Sequence, residues 1–200
     1  MNRAVLKISS VAIMSVLVLT FVASGAPAYA VYGHGSSYGP QFGITTNYVY
    51  KDGLTVNGNP IDISKYTQTI KTQKIYVNDP SDITLKIYDN AGPQATQHAT
   101  LYLNIRGDYP SVYDSNTWID YDKTTGVSIH DPNHIFKSVT ASVSYDNTYM
   151  YVTFHIVSQS PMKTSHMIIR AWDFRLAHTE VIVQNAIKIT YLPFQFSRAD

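Results

Sequence analysis

Period-two alternation of apolar and polar side chains, cut into short runs by turn residues, most narrows what this 200-residue chain can fold into. Alternation of this kind sends one face of each strand into a core and leaves the other face outside. It predicts strands near Thr45–Tyr50, Lys71–Val77, Ile83–Tyr88, His98–Arg106, Thr117–Tyr121, Val139–Tyr145, Tyr149–Val157, Ser165–Asp173 and Val181–Leu192. Between them stand Asp79-Pro80, Asp89-Asn90-Ala91-Gly92-Pro93, Gly107-Asp108-Tyr109-Pro110, Asp131-Pro132-Asn133 and Ser160-Pro161. Proline removes a ladder donor, and Asp or Asn folds back on its own backbone, so these separators are turns with a mechanism. Composition agrees: the chain has sixteen tyrosines and a single glutamate, Glu180, and good helix formers are scarce. The expected fold is all-β, a single antiparallel β-sandwich over residues 44–200, immunoglobulin-like in layout but without the Cys and Trp landmarks of antibody domains.

Residues 1–30 read as an export signal. Arg3 and Lys7 form a positive start, Ile8 to Val22 an apolar stretch, and Ala28-Tyr29-Ala30 a small-x-small cleavage site. The apolar stretch is short of the roughly 20 residues that span a bilayer, so a membrane enters only if this segment is retained. Cleavage leaves a Gly-, Ser- and Tyr-rich lead-in, 31–43, read as flexible, before the sandwich. The expected location is extracytoplasmic, secreted or held at the cell surface. The signal carries two of the 15 basic residues, so the mature chain has 13 against 14 acidic ones, a formal charge of −1. With its basic residues scattered, such a chain has no means to neutralise a row of phosphates, which argues against nucleic acid as a partner. Cysteine is absent, so packing and ladders must supply the stability; thiol catalysis and Cys-ligated metal are excluded.

Asp146-Asn147 between two alternating runs predicts a hairpin with a two-residue turn that pairs Tyr145 with Thr148. Val139, Ala141 and Val143 then share a core face with Met150, Val152, Phe154 and Ile156. The opposite face carries Thr140, Ser142 and Ser144 beside Tyr149, Tyr151, Thr153 and His155, too aromatic for an idle solvated surface. In the His98–Arg106 run, Ala99, Leu101, Leu103 and Ile105 point one way and His98, Thr100, Tyr102, Asn104 and Arg106 the other. Tyrosine combines a rigid apolar ring with a polar tip, so Tyr149, Tyr151, Thr153, His155 and Tyr102 form the candidate binding face for a protein or a glycan. A glycan reader requires some of Tyr102, Tyr149, Tyr151 and Trp118 to be coplanar and exposed. Around Met167–Trp172 both faces are substantial, which reads as a strand buried on both sides.

Seven histidines raise the question of metal. His130-Asp131-Pro132-Asn133-His134 places two imidazoles and a carboxylate in one loop, a partial copper or zinc set that needs a third protein ligand from His98, His155, His166 or His178. Asp114, Asp120 and Asp122 are hard oxygen donors for calcium, although the glycine of Asp120–Gly126 falls one position late for a calcium loop, which favours a hairpin bend. Gly35-Ser36-Ser37-Tyr38-Gly39 matches the nucleophile-elbow string without the strand and helix that make it work. No catalytic motif has supporting context, so the expected protein is not an enzyme and has no obligate cofactor.

Two stretches, Asp82-Ile-Thr-Leu-Lys-Ile-Tyr-Asp-Asn-Ala-Gly-Pro93 and Ser160-Pro-Met-Lys-Thr-Ser165 leading into Ile169-Arg-Ala-Trp-Asp173, resemble segments of uncharacterised exported β-proteins of ammonia-oxidising archaea. The resemblance implies a cell-surface or extracellular setting and carries over no catalytic residue. The expected function is a non-enzymatic surface protein with a structural, adhesive or partner-binding role. Two alternatives stay open: a carbohydrate-binding module using tyrosine faces, and a copper or zinc protein using His130 and His134. Homo-oligomers by edge-strand pairing, with the lead-in of a neighbour added as a strand, are expected for the structural role.

Overall fold

The computed structural model describes residues 38–45 and 47–193. The expected signal segment, 1–30, and residues 31–37 of the lead-in lie outside the described residues. Among the described residues thirteen strands occur: β1 (Gln41–Phe42), β2 (Leu54–Val56), β3 (Asn59–Ile61), β4 (Thr67–Thr69), β5 (Gln73–Tyr76), β6 (Pro80–Tyr88), β7 (Thr96–Ile105), β8 (Thr117–Asp122), β9 (Gly126–His130), β10 (Phe136–Tyr145), β11 (Tyr149–Ser158), β12 (Met162–Asp173) and β13 (His178–Thr190). No α-helix is present among the described residues, only a short 3-10 turn at Val112–Asp114.

The strands form two sheets packed face to face, as a sandwich requires. The six-stranded sheet has the order β10-β11-β6-β2-β3 with β1 also on β6, and the seven-stranded sheet has β4-β13-β12-β7-β8-β9 with β5 also on β13. Between them lie Ile83, Leu85 and Ile87 of β6, Met150, Val152 and Phe154 of β11, Ala99 and Leu101 of β7, and Met167, Ile169 and Ala171 of β12, all fully buried. Each long strand contributes every second residue, which is the alternation read from the sequence. Burial of one such Ile or Leu side chain contributes about 1.5–3 kcal/mol.

Several expectations need correcting. Among the described residues every strand pairing is antiparallel except two, because β4 and β5 run parallel to β13, and a single parallel bridge joins Val77 to Ser158. Parallel neighbours need a long connection, and here Thr69 of β4 and Gln184 of β13, joined by a hydrogen bond, lie 115 positions apart, with most of the sandwich built in between. The sandwich also starts before residue 44. Phe42 is 1% exposed and pairs with Ile87, so the end of the lead-in is tied to β6 of its own chain. Gly43, at φ 68°, allows this: a Cβ there would sit 2.6 Å from the backbone of Lys51 and of Gly53. The predicted strand Thr45–Tyr50 does not form. Tyr48 adopts φ 59° and donates its amide to the Thr45 carbonyl at 2.9 Å, which reverses the chain and leaves a single bridge, Ile44 with Tyr50. β1 to β4 and β9 were not anticipated; strands of two or three residues are too short to show a period, and β9 follows a turn whose Gly126 takes φ 84°.

The β10–β11 hairpin forms with a different register. Tyr145 pairs with Met150 rather than Thr148, because the Asp146 carboxylate accepts the amides of Thr148 at 2.7 Å and Tyr149 at 2.6 Å and moves the turn one residue on. The shift in pairing is even, so both faces keep the predicted composition. β7 behaves otherwise. Asn104 takes φ 57°, the pairing of β12 with β7 slips between His166 and Ile168, and Ile105 turns away from Ala99, Leu101 and Leu103. It joins Ile168 and Ile182 in a second, smaller cluster on the outer side of the seven-stranded sheet. A matching irregularity in β13 places Asn185 at φ 54°. β12 is not buried on both sides throughout: Ile168 is, while Arg170 and Trp172 of the same outer face are half-buried.

Phe154→Ala is expected to lower the unfolding free energy by about 3–5 kcal/mol, by removing a fully buried ring between the sheets. Tyr109→Ala, at a position 93% exposed, is expected to change it by no more than about 0.5 kcal/mol. Urea denaturation followed by tyrosine fluorescence checks both.

Candidate functional site

The two outer faces of the sandwich differ in chemistry, and the residues singled out from the sequence are divided between them. On the six-stranded sheet, cross-strand pairing sets Tyr149 opposite Tyr88, Tyr151 opposite Lys86, Thr153 opposite Thr84 and His155 opposite Asp82. The rings of Tyr88, Tyr149 and Tyr151 meet edge to face at 6.3 and 6.2 Å, and the Lys86 ammonium lies 4.3 Å over Tyr149. Thr84 and Thr153 share a 2.9 Å hydrogen bond. His155 is held between Asp82 at 2.8 Å and Ser142 at 2.9 Å. Tyr151 donates to Asp146 at 2.8 Å, and its phenol is pushed up to about 12, first by burial and then by that bond. The polar tips of Thr84, Thr153, Tyr151 and His155 are therefore satisfied by a neighbouring strand or turn. The arrangement is a cross-strand ladder that stiffens the sheet.

Tyr102 is not on that face. β7 belongs to the other sheet, where Tyr102 lies with both tryptophans. Pairing aligns three rows across this outer face: His130, Trp118, Tyr102, Ile168 and Ile182; then Ser128, Asp120, Thr100, Arg170 and Glu180; then Gly126, Asp122, His98, Trp172 and His178. The first and third rows carry aromatic rings, and the second is polar. In the first row Trp118 stacks on His130 with centroids 5.4 Å apart. Burial raises the Tyr102 phenol, whose ring lies 5.7 Å from the Arg170 guanidinium.

The middle row is bonded along its length. Thr100 donates to Asp120 at 2.5 Å, and Arg170 donates to Glu180 through Nε at 3.0 Å and through a second nitrogen. Tyr66, reaching in from beside β4, donates to the other Glu180 oxygen at 3.0 Å, which raises its own phenol. A guanidinium held this way presents its remaining N–H groups at a fixed angle, and each carboxylate keeps acceptor sites for an incoming hydroxyl.

The third row borders a cavity. His98 stacks on Trp172 with centroids 4.3 Å apart and planes 18° from parallel. Asp122 lies 2.9 Å from the imidazole Nε2, while Nδ1, 3.5 Å from Asp120, is buried without a hydrogen-bond partner. The Thr124 and Thr125 amides orient Asp122 at 2.6 and 2.7 Å. Beside the indole lies a shallow pocket of about 240 Å³ lined by Arg170, Trp172, Leu176 and His178. Since His178 is the next residue across the sheet on the side away from His98, the pocket faces the indole surface that His98 leaves open. Leu176, 77% exposed and at φ 64°, overhangs it from the loop between β12 and β13.

The residues considered for metal are dispersed among several turns and strands, and the Asp131 Oδ1 atom is buried without a hydrogen-bond partner. His130 ends β9 against Trp118, and Asp131 accepts the Phe136 amide at 2.7 Å, closing the turn before β10. His134 sits in that turn at φ 52°, donating its amide to the Asp131 carbonyl. His166 is fixed by Asn185, whose amide reaches Nδ1 at 3.0 Å; Nε2 must then carry the proton it donates to the Gly107 carbonyl at 2.8 Å. Asp114 accepts the Ser111 amide in a capping box. Among the described residues no group of three or more His, Asp or Glu is placed to hold a metal ion. Sequence reasoning missed the Trp172 pocket and the Arg170–Glu180 pair. Both depend on residues of different strands, and the one available signal was the pair of tryptophans on polar positions of alternating runs.

Hydrogen bonds, first that from Thr125, hold the Asp122 carboxyl below the usual carboxylate range. A folded value below the unfolded one adds stability above pH about 3.9, and this is lost as pH falls through the folded value. Asp122→Asn is thus expected to be less stable than the wild type at pH 7, with the gap closing in acid, as measured by urea midpoints at pH 7 and at about pH 2.5. No family model and no curated protein matches the sequence, so the geometry of this face carries the functional argument.

Proposed function

We propose that this chain is an exported, non-enzymatic binding module that holds a glycan on the outer face of its seven-stranded sheet. The observation that carries the reading is the Trp172 indole, braced by His98 on one side and facing a pocket walled by Arg170, His178 and Leu176 on the other. A sugar ring has an apolar face that stacks on an aromatic ring and a rim of hydroxyls that both donate and accept. The pocket meets both needs, with the indole for stacking and the Arg170 and Glu180 row for the rim. Trp118 and Tyr102, one row away on neighbouring strands, extend the surface to further sugar residues.

Other expectations support this setting as parts of the same proposal. The signal-like start suits life outside the cytoplasm, and the resemblance to exported archaeal β-proteins points the same way. An immunoglobulin-like layout is part of the proposal, and the repeated passage of the chain between the sheets, from β6 to β7, β9 to β10 and β11 to β12, supports it. Many binding modules use sandwiches of this kind, in which function lies in one grafted face rather than in the fold.

A glycan array with the mature protein, followed by calorimetry on the best oligosaccharide, tests the reading. Trp172→Ala is expected to weaken binding at least about tenfold, the scale of losing one stacked ring at the centre of a contact. Tyr149→Ala, on the other sheet, is expected to leave affinity unchanged. Absence of any glycan binding by the wild type, or equal loss from both variants, overturns the assignment.

A further inference from the structure

The sheet edges are not equally protected. β3 is three residues long and contains Pro60, which has no amide hydrogen to offer. β4 has three residues, β5 has four including Lys74, and β9 has five. Short strands, proline, lysine and bulges are the usual means by which an edge avoids pairing with another chain. β10 is different, since it has ten residues, ends the six-stranded sheet and, among the described residues, pairs with β11 on one side alone. Its lysine, Lys137, and its bulge, between Phe136 and Ser138, are both at its first end. From Ser138 to Tyr145 it carries no charge, no glycine and no proline.

The exposed stretch reads nearly the same in both directions: Ser138-Val139-Thr140-Ala141-Ser142-Val143-Ser144. Two such strands laid antiparallel about Ala141 oppose Val139 with Val143, Thr140 with Ser142 and Ser138 with Ser144 of the second copy. Each apolar residue meets an apolar one and each hydroxyl meets a hydroxyl. The match holds on both faces, because Val139, Ala141 and Val143 point to the core side and the hydroxyls point out. Val139 is buried, whereas Ala141 and Val143 are half-buried at the open edge and would gain cover from the facing strand. The small side chains also let the second backbone approach to hydrogen-bonding distance.

We propose that β10 is the seam of a two-fold homodimer, in which two copies pair antiparallel about Ala141 and their six-stranded sheets join edge to edge. The contact is isologous, so it uses the long open edge of both copies and closes at two. The occupant of the edge is a second copy because the strand complements itself; an unrelated strand would have no need of the symmetry. This interaction is independent of the glycan reading, since it lies on the other sheet.

Static light scattering and native mass spectrometry of the mature protein test it, using two double variants at exposed positions. The wild type is expected to be a dimer. S138K/S144K sets lysine against lysine at both ends of the seam and is expected to be monomeric, while S138K/S144E sets lysine against glutamate and is expected to remain dimeric. Unchanged thermal unfolding of the dissociated monomer by circular dichroism would show that the fold is intact. A monomeric wild type, a dimeric S138K/S144K, equal dissociation of both variants, or growth into open polymers would each overturn the proposal. Glycan affinity per chain in the monomeric variant separates this outcome from any failure of the glycan reading.

Discussion

The structure depends on the dry contact between two sheets, made by every second residue of β6 and β11 on one side and of β7 and β12 on the other. With no cysteine, this apolar layer is the principal cross-link between the sheets, and its fully buried members run from Ile83 to Ala171 along the chain. Strand pairing aligns these side chains within each sheet, and burial makes the alignment worth keeping, because a one-residue slip would turn a whole strand inside out. The β10–β11 hairpin illustrates the rule. The Asp146 carboxylate chooses its own turn amides, yet the resulting shift is even and the core face survives.

A second constraint acts where the alternation is broken. Asn104 and Asn185 take left-handed backbone conformations that asparagine tolerates better than most residues. The β12 strand between them answers with Ser165, which accepts the Ile105 amide, and His166, which joins Asn185 to Gly107. The buried polar groups at the irregularity are thereby paired. Its consequence is positional: Ile105, Ile168 and Ile182 gather on the outer face and close one end of it, and the aromatic and charged rows occupy the remainder.

The two outer faces use similar residues differently. On the six-stranded sheet the tyrosines touch one another, and Asp82, Asp146 and Ser142 bond Tyr151 and His155 across strands and turn. On the seven-stranded sheet the histidines brace the tryptophans from one side, leaving the opposite side of Trp172 on a pocket. A rigid ring with one covered face and one open face is prepared to stack, and little conformational freedom is lost when a ligand arrives.

Much of this was legible in the chain itself. Alternation in Ile83–Tyr88, Val139–Tyr145 and Tyr149–Val157 determined long strands, their core faces and an all-β fold, because facing in a strand depends only on odd or even position. Turn chemistry located most boundaries. The short strands β1 to β4 could not be seen, since two or three residues show no period, and their places are set by long-range pairing with β6 and β13. The candidate face was half legible: alternation determined that His98 and Tyr102 point away from the core, whereas the Met167–Trp172 run, apolar on both faces, left the side taken by Trp172 open. Only the tertiary structure decided that they share one sheet while Tyr149, Tyr151, Thr153 and His155 share the other. Which strands become neighbours depends on how the whole apolar layer closes, and no local run of residues contains that information.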